Sequence, residues 1–584
     1  MPADRRAVAE KRLLSHAGDK QQTPLLSRRH NDTGNGSRSE KNLQAAICLL
    51  LVELCERFTF FGIVCNMILF CTVKLGYRNY QAAIVNMCFV GTSMLTPVLV
   101  GWLAECLVGR IKLVCVCLFL HFLGTVLLPV VAFPFEDIYI DRRHILHTLT
   151  KKEQKIVFYF ALLTASLGIG GIRAIVCPLS AYNLEDCGLK ELLSFFNWFY
   201  WLVNLNSAVV FVSISYIQQS VARNLGFLIP FVSVLMAMIT IHMVRGEMIY
   251  KPKTGFKKKK EANKYSVMFL SQSICLCRKR YHIGGVTNWL DHAKENYGGR
   301  YSEAQVESTK SLARLFPLFA FQILYRTCIM QIPSGYYLQT MNSNLNFSGF
   351  VLPIAAMNVI SIVPLLILVP ILECINSCLF SSKGSRHSLT IYIVAGQLCA
   401  ALSVMVAGFS EMHRKRFPQV EQTLSKEVLL VSSMPCFHLA PQYILLGVAE
   451  ALVTPCCSLL SFRLVPERIR GISMHFLTLF NGAGCFIGAF IVQTVHTGSR
   501  GNWFPHLLHE GKLERFFFFL ASLMMANTLG FWTIAHRYSD LSQEYTKEFR
   551  GSLPEGKPLQ HEKAIKFYDS VLDCSPVLSP METT

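Results

Sequence analysis

Glu53, Glu56 and Arg57 stand inside an apolar run from about Leu43 to Thr72. The run is long enough to cross a bilayer as a helix. At spacings i, i+3 and i+4 the three charged side chains share one helix face. Charge at lipid depth is costly, so this face must turn toward protein or a water-filled path. Two readings fit the spacing. One is a buried ion pair that joins helices, and the other is a proton site whose charge depends on the side of the membrane it faces.

Further apolar runs of roughly 20 residues follow along the chain. Together with 43–72 they fall near 80–103, 111–133, 155–177, 192–217, 224–245, 310–332, 347–373, 387–409, 438–462, 470–497 and 514–536. With 52% hydrophobic and 16% charged residues, the composition excludes an ordinary soluble domain. The fold class expected is an all-α polytopic membrane protein. A polar stretch of about 60 residues after the sixth run divides the spans six plus six, as in transporters built from repeats. The expected organisation is a tail (1–42), a six-helix bundle (43–245), a basic linker (246–309), a second bundle (310–536) and a tail (537–584). The polar first 42 residues read as tail, without a cleavable leader.

The net charge of +19 sits largely in loops and tails, where the positive-inside rule accounts for it without nucleic acid. Arg110, Lys112, Lys383, Arg386, Arg463, Arg468, Arg470 and the run Lys257–Lys260 fall on one side if both termini are cytoplasmic. Arg142, Arg143, Lys151 and Lys152, and the group Arg414, Lys415 and Arg416, count against that orientation. The polybasic run reads as a contact for anionic lipid headgroups. Of the sequons at Asn31, Asn35 and Asn346, Asn346 would face outward.

Four more ionisable groups fall within spans: Arg173, Arg326, Glu450 and His475. An arginine there cannot shed its proton and needs a carboxylate, a carbonyl or a bound anion. Arg173 and Glu450 belong to opposite halves of the chain. They could hold the two ends of a zwitterion, or form a gate salt bridge. His121, like His475, is a lone histidine on an apolar helix, a type more often satisfied by its neighbours than used as a relay. Gly168-Ile169-Gly170-Gly171 lies inside a span and reads as a site of close helix approach. The 21 cysteines are scattered and show no metal-ligand spacing. No nucleophile elbow, zinc-protease motif or phosphate loop is found, so an enzyme is not expected.

Glu53-x-x-Glu56-Arg57-Phe58-x-Phe60-Phe61-Gly62 resembles the ExxERFxYYG motif of the proton-coupled oligopeptide transporters, the peptide-transporter branch of the major facilitator superfamily. Four further stretches agree, in the family's order. Gly101-x-x-x-Glu105-x-x-x-Gly109-Arg110, after Leu95-Thr96-Pro97, resembles the superfamily's loop motif, with Glu for its usual Asp. Gly168-x-Gly170-Gly171-Ile172-Arg173 resembles the fourth helix, and Phe195-Phe196-Asn197-Trp198-Phe199-Tyr200-Trp201 with Asn204 the fifth. Gly447-x-x-Glu450, followed by Val465-Pro466-Glu467-Arg468-x-Arg470-Gly471, resembles the tenth and eleventh.

The resemblance implies the major facilitator fold, with 12 transmembrane helices in two six-helix bundles. It also implies alternating access and symport of protons with di- or tripeptides, or with related zwitterions such as histidine. The implied partners are that small substrate and the lipid bilayer, with the protein a monomer. Protons would serve as coupling ion, with no cofactor or metal, in a plasma or endolysosomal membrane. Glu53, Glu56 and Arg57 match the family's proton-coupling cluster. Arg173 stands where most members have a substrate-binding lysine, and Glu450 matches the acid assigned to the peptide amino terminus. Tyr325, Gln331 and Asn358 match polar cavity positions.

Phe60 and Phe61, which match substrate-contacting tyrosines, lack two hydroxyls. The second-helix histidine of mammalian carriers aligns with Met87, and His475 replaces a small residue. These departures leave two alternatives open: a ligand sensor or scaffold without coupled transport, or a facilitator of organic anions that uses Arg173 and Arg326.

Overall fold

The computed structural model describes residues 44, 47–65, 67–106, 110–132, 151–184, 189–221, 223–244, 294–297, 301–379, 385–424, 427–463, 465 and 470–551. The tail to residue 42, the run Lys257–Lys260, Arg142, Arg143, Lys383, Arg468, Gly109, and the sequons Asn31 and Asn35 lie outside these residues.

Helix α1 covers 47–64, and the helical residues Met67–Leu69 lead into a π-helical turn, Phe70–Lys74. Helices α2 (Asn79–Cys106), α3 (Arg110–Ala132), α4 (Lys151–Leu184), α5 (Leu189–Tyr216) and α6 (Arg223–Val244) follow. The second half contains α7 (Glu303–Ile329), α8 (Asn358–Leu379), α9 (Ser385–Arg414), α10 (Ala440–Arg463), α11 (Arg470–Gly498) and α12 (Leu513–Gly551). Among the described residues nine stretches are long and apolar enough to cross a membrane: seven within α2, α3, α4, α6, α9, α11 and α12, one that runs from α7 on to Met341, and one that begins at Cys436 and ends in α10. The expected first span, in α1, carries Glu53, Glu56 and Arg57, and the apolar stretch leading into α8, Ile354–Leu368, is short.

The helices form two bundles. In the first, α4 packs on α2 and α3, and α3 on α6. In the second, α9 packs on α10 and α12, α8 on α10, and α7 on α11 and α12. The halves meet where α2 lies along α11 and α5 touches α8. Close approach in the first bundle depends on missing side chains. A methyl group at Gly168 would collide with the backbone of His121, and one at Gly170 with Thr96 and the Ser93 carbonyl. Lipid gives no hydrophobic reason for helices to associate, so such contacts rest on van der Waals packing.

Two elements outrun their expected spans. After α7 the chain turns at Met330–Gln331, continues as a π-turn, Ile332–Tyr336, and ends in a short helix, Tyr337–Met341. Pro333 has no backbone N–H to give to a helix, which explains an irregular turn here. Gln331, Ser334 and Gly335 interrupt the apolar run in sequence yet are buried in the fold. Helix α12 runs to Gly551, past the expected end at 536.

The two halves are joined at one end by neutral side chains. Asn86 Nδ2 donates to the Pro333 carbonyl in the π-turn after α7 (2.7 Å). Gln219, in a second π-turn after α5 (Ile217–Val221), donates to the Leu352 carbonyl (3.1 Å) and accepts from Ile354 N–H (2.9 Å). Asn79 Nδ2 donates to the carbonyls of Pro505 (3.2 Å) and His506 (2.8 Å). Tyr80 stacks on His496, with ring centroids 3.7 Å apart.

Within the second half the same end carries a sealed polar network. Arg414 pairs with Glu411 at 2.6 Å, both side chains almost wholly buried. Gln339 Nε2 donates to Glu411 Oε2 (3.2 Å), and Gln442 Nε2 to Gln339 Oε1 (2.9 Å). Lys415 pairs with Glu514 at 2.6 Å. Asn346 is exposed, in a short hairpin with Phe350–Val351.

Asn86→Ala combined with Gln219→Ala removes three bonds across the halves, roughly 1 kcal/mol each. Spin labels at the exposed positions Arg78 and Asn346, in a cysteine-depleted background, should then gain a longer-distance population. An unchanged distance distribution would remove these amides from the closure.

Candidate proton and substrate site

The carboxylates of α1 face inward and are sealed. Glu53 and Glu56 are 2% and 1% exposed. The backbone of α1 around them is held by its neighbours in the first bundle. Asn206 Nδ2 of α5 donates to the Leu54 carbonyl (2.9 Å), and Ser233 Oγ of α6 to the Cys55 carbonyl (3.2 Å). Thr59 Oγ1 donates to the carbonyls of Cys55 (2.9 Å) and Pro230 (3.3 Å). None of these clamps announces itself in the sequence, since each uses a common polar residue on an apolar helix.

Arg173 of α4 joins this cluster. Its Nε donates to Glu56 Oε1 at 3.0 Å, and its Nη2 lies 2.9 Å from the same oxygen. Arg57 Nη2 lies 3.4 Å from Glu53 Oε1, and Arg57 Nε 3.6 Å from Glu56 Oε2. The Arg57 side chain is 25% exposed and that of Arg173 11%, whereas the carboxylates they serve are closed off. Two cations and two anions thus balance in one half. Oε2 of Glu53 and Oε2 of Glu56 receive no hydrogen bond among the described residues. A buried carboxylate oxygen without a donor is under-satisfied, and a proton placed there would relieve it.

Phe60 lies beneath Arg173. Its ring centroid is 4.3 Å from the guanidinium carbon, within the reach of a cation–π contact. Phe60 also stacks on Phe89 (6.0 Å), and Phe61 meets Phe60 and Phe211 edge-on, each at 5.4 Å. A ring face supports a cation without needing a hydroxyl. His121 of α3 is buried near Arg173, and among the described residues its Nε2 has no hydrogen-bond partner. Met87 is fully buried, and His475 is exposed on α11 with its ring toward Gly101 of α2.

The second half presents a different arrangement. Glu450 of α10 is half-buried and faces Arg326 and Tyr325 of α7. Asn358, at the start of α8, is buried, and its Oδ1 accepts no hydrogen bond among the described residues. Gln331 is wholly buried in the turn after α7, where its Nε2 donates to the Thr327 carbonyl (3.1 Å). Arg173 and Glu450 make no ion pair with each other among the described residues. Each faces a charge of its own half instead. The structure therefore gathers Glu53, Glu56, Arg57, Phe60 and Arg173 at one place, with Phe61 beside them, and Tyr325 with Glu450 at another. Arg326 was visible as a charge within a span but carried no motif to mark it.

The chain is similar to known proteins over most of its length. The sequence profile described as PTR2: POT family matches residues 111–504. The chain is 56% identical over 576 residues to solute carrier family 15 member 5 from Homo sapiens, covering 98% of each. It is 23% identical to solute carrier family 15 member 3 from Mus musculus, over 91% of this chain and 96% of that one. Among solved structures, an auto-inhibited POT family peptide transporter superposes with a TM-score of 0.65 at 18% identity, covering 85% of this chain and 97% of that one. A POT family transporter in complex with 5-aminolevulinic acid superposes with a TM-score of 0.61 at 14% identity, over 85% and 96%. These likenesses show the fold of a multi-pass membrane transporter, not an enzyme.

Glu56→Gln leaves the buried Arg173 guanidinium without its counter-charge, a loss on the order of 3 kcal/mol. Glu53→Gln removes a looser contact to a partly exposed arginine, worth under about 1 kcal/mol. Thermal melts in detergent should show a clear drop for the first variant and little for the second. Equal drops would mean that the Glu56–Arg173 contact is not the anchor.

Proposed function

Because the chain belongs to the POT family, we propose that it is a proton-coupled symporter of di- or tripeptides, or of related zwitterions such as histidine, working by alternating access. The observation that carries this reading is the state of Glu56. One oxygen holds Arg173; the other accepts no hydrogen bond among the described residues, with Arg57 Nε 3.6 Å away, and a proton could add there.

Protonation at Oε2 removes the charge of Glu56 and so weakens its hold on Arg173. The guanidinium, resting on Phe60, then becomes available to a substrate carboxylate. Loss of the proton returns Arg173 to Glu56 and evicts that carboxylate. Proton and substrate would thus enter and leave together, because a protonated Glu56 and a carboxylate-bound Arg173 favour each other. Glu53 and Arg57 extend the same exchange by one helical turn toward the exposed side of the cluster. Glu450 would take the substrate ammonium. In this cycle the seam formed by Asn79, Asn86, Gln219 and Tyr80 opens while the opposite end closes.

Both termini are assigned to the cytoplasm. Two cations that opposed that orientation are neutralised locally, Arg414 by Glu411 and Lys415 by Glu514. The reading as an organic-anion facilitator is weakened for a related reason. It invoked two uncancelled arginines, and Arg173 is cancelled by Glu56.

The test is uptake of labelled dialanine into liposomes that contain the purified protein, with and without an inward proton gradient. Uptake should rise with the gradient and lose that dependence in Glu56→Gln. Uptake indifferent to the gradient in the unaltered protein would sink the coupling.

A further inference from the structure

Arg326 differs from Arg173 in its surroundings. Among the described residues its Nε has no hydrogen-bond partner, although Glu450 is near enough for the two charges to act on each other. No direct ion pair joins them among the described residues. The side chain is held in place from behind. Its Cβ lies against α11 at Gly484, where any side chain would collide with Arg326 and the Ile323 carbonyl. The guanidinium also lies against Cys485. Gln322 and Tyr325 share its stretch of α7, at spacings that put Gln322 on the same helix face. Both are buried; among the described residues Gln322 Nε2 has no hydrogen-bond partner, whereas the Tyr325 hydroxyl has Thr454 beside it.

A buried donor left without a partner is costly, and here two, Arg326 Nε and Gln322 Nε2, stand one turn apart on one helix face. The acid Glu450 is close enough to act on Arg326, so donors and an anion are gathered inside the second bundle. A ligand that satisfies both must carry an anionic acceptor and a cationic donor close together.

We propose that Arg326 is a ligand-binding residue that takes a carboxylate. With Glu450 in the same half, it selects ligands whose ammonium and carboxylate are borne on one carbon, so that α-amino acids are preferred to longer peptides. The inference rests on the symporter reading and narrows its substrate class. Each added residue moves the two terminal charges apart by about 3.5 Å when the chain is extended. A tripeptide would have to bridge from Glu450 to Arg173 in the other half, and Arg173 is held by Glu56 until that acid is protonated. A single amino acid needs only Arg326 and Glu450, both of the second bundle.

Calorimetric titration of the purified chain with alanine, dialanine and trialanine tests this. Alanine should bind tightest and trialanine weakest in the unaltered protein, a comparison that needs no variant to fold. Arg326→Gln should weaken alanine binding by about tenfold or more, and Arg326→Lys should restore most of it. Affinity that rises from alanine to trialanine overturns the proposal, as does an Arg326→Gln variant that binds alanine like the unaltered protein. Absence of binding by all three also overturns it. Gradient-driven uptake with dialanine preferred to alanine would refute the role of Arg326 and leave symport standing. Preference for alanine with uptake indifferent to the gradient would do the reverse.

Discussion

The contact between Glu56 and Arg173 constrains everything around it. A guanidinium at membrane depth cannot become neutral, so α4 can present one inward only where α1 presents a carboxylate. That requires α4 to lie close to its neighbours, which the glycines at 168 and 170 allow. It also requires α1 to hold a fixed rotation, which the hydrogen bonds from Asn206, Thr59 and Ser233 enforce. Packing, helix rotation and charge balance in the first bundle are therefore one problem with one solution. The phenylalanine under the guanidinium belongs to it as well. A flat ring gives the cation a low-cost face and leaves its N–H groups free to point at oxygen.

The second bundle solves the same problem in another way. Its closed network, from Glu411 and Arg414 through Gln339 to Gln442, lies at one end, where it fixes the geometry of the loop and hairpin. Its interior pair, Arg326 and Glu450, is left apart. The molecule thus has one half whose central charges are paired with each other and one whose central charges are not. Under the proposed function, an arriving zwitterion would meet an unpaired arginine in the second half and would have to displace a partner in the first.

Much of this could be read from residue order, and the limits of that reading have physical causes. Apolar length gave the membrane helices, because the bilayer sets the length of any span. The trio on α1 was legible because i, i+3 and i+4 fix a shared face whatever surrounds it. Which charge pairs with which was not legible. Arg173 could reach Glu56 or Glu450 as far as sequence shows, and only helix packing decides between them. Gln331, read as a cavity position through resemblance, is buried in the turn that Pro333 imposes, since polarity marks a residue that needs a partner without saying whether that partner is substrate or backbone. The amides at the seam were silent for the opposite reason. Asn79, Asn86 and Gln219 bond to carbonyls exposed by turns and loops in the other half, and nothing near them in sequence predicts those carbonyls.

Bond strength is distributed in a way that suits a machine with two moving bodies. The ion pairs at Glu56–Arg173 and Glu411–Arg414 each lie within one bundle. Separating such a pair exposes a buried charge, at a cost of roughly 3 kcal/mol or more. The contacts described across the seam are amide-to-carbonyl bonds and one ring stack, each worth roughly 1 kcal/mol net, because water replaces them when they break. A seam built from charges would either lock or, once opened, fail to reclose before solvent claimed it. A seam built from neutral amides can open and close on a small difference in free energy, which is the size of bias that one proton or one bound ligand can supply. π-Turns lie on both sides of this seam, after α5 and after α7, and supply its glutamine from one half and its proline carbonyl from the other. Irregular backbone is tolerated at membrane depth only where protein or water satisfies its polar groups. Here the opposing half does so for the Pro333 carbonyl through Asn86, which ties the local shape of that turn to the contact between the halves.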